Sequence, residues 1–157
     1  MMAAGGAAAP VAYLLDTNIL IAYIRAGSLG RHVEATYSVM ARVYKPLICE
    51  VTIGEMLAFA QRLGWGERKL AAMNKLLREV VRIDIGAQDV MEAYAEIDCF
   101  CVRSGCSLGK NDVWIAAATK AADAELLTTD KDFIPLFRNE IVRGVYIDPK
   151  AGRKRAD

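Results

Sequence analysis

Short, continuously apolar runs alternate along this chain with longer stretches in which apolar residues recur every three or four positions. Val11-Ala12-Tyr13-Leu14-Leu15 is a run too short for a helix and suited to a strand buried on both faces. It stops at Asp16-Thr17-Asn18, residues that favour caps and turns, and Ile19–Ile24 reads as a helix start. Gly27-Ser28 breaks that helix, and a second helical stretch is predicted over Leu29–Val43, with Val33, Tyr37 and Met40 on one face. Pro46–Cys49 predicts a second strand. Thr52-x-x-Glu55 reads as the opening of a helix to about Leu63, and Glu67–Leu77 follows as another amphipathic helix beyond Gly64 and Gly66.

Val80–Ile83 predicts a third strand. From Ala87 onward, Val90, Tyr94, Ile97 and Cys101 mark one face of a long helix that closes near Gly105. Asn111 is predicted to cap a helix through Ala122, and Glu125–Thr128 to form a fourth strand. Lys131–Phe137 reads as a short helical turn, and Val142–Ile147 as a fifth, edge-like strand closed by Asp148-Pro149. Strands alternating with helices predict a parallel sheet with helices on both faces. In such a sheet the site lies beyond the C-terminal ends of the strands, near a switch in strand order.

The length of 157 residues suits one domain with a real core. Residues 11–149 are expected to form it, after a flexible Ala/Gly-rich lead at 1–10 and before a mobile basic tail at 150–157. The lead lacks a basic segment and a sustained apolar one, so it does not read as a signal peptide. No stretch approaches the ~18 apolar residues of a membrane span. Apolar residues at 54% and charged residues at 25% describe a globular protein, and a net charge of +1 gives no diffuse basic footprint for a polyanion. Any such partner needs local basic residues and a metal. Cys49, Cys99, Cys101 and Cys106 complete no zinc set with the single histidine, His32, and read as reduced thiols, which favours the cytoplasm.

Four acids change the picture: Asp16, Glu55, Asp112 and Asp130. Asp16 and Asp130 follow predicted strands, while Glu55 and Asp112 sit near predicted helix starts. Each has a structural explanation, as a cap, as the Glu of a capping box, or as a charge favoured by about 0.3–1 kcal/mol at a helix N-terminus. Neutral caps are already at hand, however, in Thr17, Asn18, Thr52, Asn111 and Thr129. Glu55 and Asp112 are also set among apolar residues, where an unpaired acid is costly. Carboxylates gathered at one strand edge repel, and a divalent cation relieves that repulsion. Oxygen ligation suits Mg²⁺ or Mn²⁺, and such a metal activates water against a phosphodiester. No glycine-rich phosphate loop and no nucleophile elbow competes with this chemistry.

The segments Leu14-Leu15-Asp16-Thr17-Asn18, Glu55 in the helix after the second strand, Gly109-Lys110-Asn111-Asp112-Val113-Trp114-Ile115-Ala116-Ala117 and Leu127-Thr128-Thr129-Asp130-Lys131-Asp132-Phe133 resemble a PIN-domain ribonuclease. Their order and spacing are similar to VapC-type toxins of toxin–antitoxin pairs. The resemblance runs from about Val11 to Ile147. It implies a three-layer α/β/α fold with a mostly parallel sheet of about five strands. It also implies a Mg²⁺- or Mn²⁺-dependent endoribonuclease using Asp16, Glu55, Asp112 and Asp130, with Asp16 and Asp112 as the firmest ligands. Asn18, Thr128 and Asn111 would hydrogen-bond around them, and Asp132 competes with Asp130 for the fourth place. An RNA substrate, a homodimer and a cognate antitoxin are the implied partners. Lys110, Lys131 and Arg62 are candidates to face the RNA phosphates. The alternatives are an RNA-processing nuclease without an antitoxin and a non-catalytic RNA- or protein-binding module.

Overall fold

A computed structural model describes residues 11–154. The lead at 1–10 and the end of the basic tail at 155–157 lie outside the described residues. Five strands, β1 (Tyr13–Leu15), β2 (Leu47–Cys49), β3 (Val81–Ile83), β4 (Glu125–Thr128) and β5 (Gly144–Tyr146), form one sheet in the order β3-β2-β1-β4-β5. Every pairing is parallel, with Leu14 opposite both Leu47 and Leu126, and Leu15 opposite Leu127. The chain therefore builds outward from β1 in one direction, then returns to place β4 on its other side.

Among the described residues seven helices connect and cover the strands: α1 (Thr17–Arg25), α2 (Ser28–Tyr37), α3 (Glu50–Arg62), α4 (Glu67–Arg78), α5 (Gln88–Ser104), α6 (Lys110–Ala121) and α7 (Ile134–Arg138). Successive strand residues point to opposite faces. Leu14, Cys49 and Leu126 accordingly join one core with Ile97 of α5, Ile115 of α6 and Leu136 of α7. Leu15, Ile48 and Leu127 join the other with Leu20 of α1, Val33 of α2, Met56 of α3 and Met73 of α4. Both faces of the sheet are covered by buried apolar side chains, and its strands read as near-continuous apolar sequence for that reason. Among the described residues no helix is long and apolar enough to cross a membrane.

Three local expectations are revised. The second helix ends at Tyr37 rather than Val43, because Ser38 turns into the left-handed region (φ 50°) and donates its amide to the Glu34 carbonyl. The Glu34 carboxylate then accepts the amides of Met40 and Ala41, tying down the turn that follows. Thr52 does not open a capping box, since α3 begins at Glu50 and Thr52 lies inside its first turn. Asn111 likewise lies within α6, whose cap is Gly109. Beyond β5, Ala151 donates its amide to the Asp148 carbonyl and packs against the second core. Gly152 there adopts φ +77° against the first turn of α2, where a Cβ would meet the Ser28 carbonyl oxygen at 2.6 Å.

Candidate active site

Strand order reverses between β1 and β4, and Asp16 stands at that point. It follows the last residue of β1, and its amide continues the ladder to the Leu127 carbonyl at 3.0 Å. Its side chain caps α1: Oδ1 accepts the Thr17 amide at 2.8 Å. Oδ2 accepts the Thr128 hydroxyl at 2.6 Å. Thr128 is wholly buried, and its oxygen also accepts the Asp130 amide at 2.9 Å. One hydroxyl thus ties the end of β4 to both acids. Asp130 in turn caps the single 3₁₀ turn Lys131–Phe133, with Oδ1 accepting the Asp132 amide at 2.9 Å.

Glu55 lies one and a half turns into α3. The Thr17 hydroxyl donates to Glu55 Oε1 at 2.8 Å and lies 3.2 Å from the Thr52 hydroxyl oxygen. Helix α3 is held to α6 beside the site, where the Cys49 thiol donates to the Trp114 carbonyl at 3.6 Å. Asp112 occupies the first turn of α6, above Gly109, whose missing Cβ would come within 3.2 Å of Asp112 Oδ2.

Asp16, Glu55, Asp112 and Asp130 line one cleft of about 350 Å³, with Thr17, Asn18, Ile21, Phe59 and Arg62 completing it. Asn18 is exposed at its edge. Asn111 faces a neighbouring hollow shared with Glu55 and Arg62. Asp132 is exposed and does not line the cleft, whereas Asp130 does. Lys110 turns away to pair with Asp98 at 2.9 Å. Lys131 borders a cavity on the β5 side of Asn18. From the sequence Thr17 reads only as a neutral cap, and Phe59 and Ile21 are not singled out. Thr17 sits beside the Asp16 cap and Phe59 one turn beyond Glu55, so both signals were present.

Electrostatics mark the same place. Burial, against the opposing help of the Thr128 and Thr17 hydrogen bonds, pushes the Asp16 carboxyl up from 3.8 to about 6, with Glu55 and Asp130 adding repulsion. Burial, then the charges of Asp16, Asp130, Glu55 and Asp132, push Asp112 up to about 7. Among the described residues none of the four acids forms an ion pair, although Arg62 is on the cleft wall. Among those residues, too, no three acidic, histidine or cysteine side chains converge into a ready-made ion cage. The carboxylates surround a space rather than a point. This donor set fits Mg²⁺ or Mn²⁺, hard cations that take oxygen ligands; Mg²⁺ in particular keeps several waters and needs only one or two carboxylates directly.

A family model described as "PIN domain" matches residues 13–136. No curated protein matches the sequence. Among solved structures, VapBC2 of Rickettsia felis bound to a promoter DNA fragment is 22% identical with a TM-score of 0.70, covering 87% of this chain and 98% of that one. VapBC-1 of nontypeable Haemophilus influenzae is 22% identical with a TM-score of 0.68, covering 85% and 96%. DNA-bound VapBC of Salmonella typhimurium is 20% identical with a TM-score of 0.70, covering 87% and 98%. At these identities the likeness is one of fold.

Proposed function

The chain belongs to the PIN-domain family, and from that premise we propose that it is a divalent-metal-dependent endoribonuclease, the toxin of a cytoplasmic toxin–antitoxin pair. The observation that carries the reading is Asp16: a buried carboxylate at the strand-order switch, facing three more acids across one cleft and without an ion-pair partner among the described residues. Structures with which it shares its fold are VapBC assemblies, which supports a cognate antitoxin; the homodimer implied by the resemblance to VapC-type toxins is part of the same proposal.

Asp16 and Asp112 are the groups we assign to hold Mg²⁺ or Mn²⁺, with Glu55 and Asp130 completing the charge around it. When bound, the ion supplies an activated water and neutralises charge on the phosphodiester. The protein's own contribution is orientation. Thr128 and the Thr17 amide each occupy one lone pair of Asp16, fixing its plane while leaving a lone pair on each oxygen. Thr17 also fixes Glu55 through Oε1, so one residue aligns two acids. The Asp132 amide holds the Asp130 carboxylate through Oδ1.

The test is cleavage of single-stranded RNA with and without Mg²⁺ or Mn²⁺. Cleavage is expected to need the ion and to vanish in Asp16→Asn, which keeps the cap geometry but loses the charge. Full activity in EDTA, or in Asp16→Asn, would overturn the assignment. Purification from the native host tests the antitoxin: a small DNA-binding protein should accompany the chain.

A further inference from the structure

The acid cleft opens on one side into a second cavity of about 560 Å³, and Asn18, Ile21 and Phe59 line both. The charge changes sign across that boundary. Among the described residues the second cavity has no acidic side chain on its wall, and its two ionisable side chains are Arg25, from the last turn of α1, and Arg153. Neither arginine forms an ion pair among the described residues, where the ion pairs engage Lys110, Lys120 and Arg143 instead. The Arg25 guanidinium lies 5.5 Å from the centre of the Phe59 ring, which steadies it at the mouth between the two spaces. Arg153 owes its place to Gly152, whose positive φ and absent Cβ let the chain lie directly on Ser28 and His32. The two cations thus come from opposite ends of the sequence to one wall.

We propose that this cavity is a nucleotide subsite, in which Arg25 and Arg153 hold a backbone phosphate of single-stranded RNA adjacent to the one cut in the acid cleft. The inference rests on the nuclease reading above and adds how the strand is held. Planar guanidinium groups bind phosphate oxygens in pairs and are weakly hydrated, which suits a partly enclosed site. Phe59, shared by both spaces, offers its ring to the sugar or base between the two phosphates. The arrangement separates the two electrostatic tasks: carboxylates gather a cation at the scissile phosphate, and guanidinium groups take the next phosphate without competing for that cation.

The experiment uses the full chain carrying Asp16→Asn, so that binding is read without cleavage, and a fluorescent single-stranded RNA oligonucleotide followed by anisotropy. Arg25→Gln and Arg153→Gln are each expected to weaken binding about tenfold and to flatten the plot of log affinity against log salt by about 0.7, the value for one phosphate contact on a single strand. Arg25→Lys should restore the salt slope but only part of the affinity. With Asp16 intact, the same glutamine variants should lower kcat/KM on the oligonucleotide while leaving hydrolysis of a diribonucleotide, too short to reach the cavity, unchanged. Wild-type affinity and salt slope in both glutamine variants would overturn the proposal, as would their loss of binding to an acidic partner peptide with RNA binding intact. Failure of the nuclease reading is distinguishable, because it removes cleavage by the wild-type chain and leaves the binding comparison standing.

Discussion

The Thr128 hydroxyl reaches Asp16 Oδ2 at 2.6 Å across 112 positions of sequence, joining the ends of the two central strands through a buried side-chain pair. The same oxygen receives the Asp130 amide. Thr128→Val keeps the β-branched shape and removes both bonds. Loss of a buried hydrogen bond to a charged group costs about 1–3 kcal/mol, so the thermal midpoint should fall. RNA cleavage should drop with it, and Thr128→Ser should recover much of both. Thermal melts paired with cleavage assays would check this, and an unchanged midpoint in Thr128→Val would remove Thr128 from the account.

Gly30 is buried where α2 crosses α1, and a Cβ there would come within 2.7 Å of the Ala22 carbonyl oxygen. That oxygen belongs to a helix backbone and has little room to give. Gly30→Ala is therefore expected to cost about 1–3 kcal/mol through overpacking, despite alanine's better helix propensity. Denaturant titration should show the midpoint shift. A stabilised Gly30→Ala protein would mean that the helices separate more easily than their packing indicates.

Gly109 is restricted by space rather than by backbone angles, for its φ of −63° suits any residue. An alanine Cβ would press on Asp112 Oδ2 at 3.2 Å. Gly109→Ala should leave the melting temperature within a few degrees while lowering Mn²⁺ affinity and cleavage several-fold. Calorimetric Mn²⁺ titration and cleavage rates would measure the two separately.

How far the sequence was legible depended on the range of the interactions involved. Strand β4 was readable to the residue, since Glu125–Thr128 is a buried run bounded by turn residues. All five strands and the helices on both faces followed from periodicity, and the parallel sheet followed from their alternation. The end of α2 was not readable, because it is set by Ser38 in a left-handed turn and by Glu34 gathering two amides downstream. The four acids were visible as a set, and the structure places them around one cleft. What aligns them was hidden, because Thr17 and Thr128 act across strands rather than along the chain. Local charge was also a poor guide to the cations. Lys110 stands two residues from Asp112 yet pairs with Asp98, whereas Arg25 and Arg153 are distant in sequence and share a cavity.

Lys110 supplies a prediction from that contrast. Its ammonium is exposed and engaged with Asp98 on α5, so Lys110→Ala should leave RNA cleavage within about twofold of wild type, as exposed ion pairs contribute little. A tenfold loss in steady-state cleavage would place Lys110 on the RNA after all.

The raised carboxyls make the metal-free protein sensitive to pH in a direction opposite to that of an ordinary salt-bridged acid. Asp16 at about 6 and Asp112 at about 7 bind protons more tightly in the folded chain than at the unfolded value of 3.8. Their contribution to stability is fully present below about pH 4 and is lost as pH rises through 6 and then 7. Between pH 5 and 8 the metal-free thermal midpoint should therefore fall, by an amount that Asp112→Asn reduces by removing the upper part of the step. Mn²⁺ competes with those protons, so the stabilisation it confers should be small at pH 5 and large at pH 8. Asp112→Asn should also raise the metal-free midpoint at pH 8 while abolishing cleavage, because it removes repulsion and a cation ligand together. Melts with EDTA and with Mn²⁺ across this range decide the matter: equal Mn²⁺ stabilisation at pH 5 and pH 8 would show that the ion does not displace protons from Asp16 and Asp112.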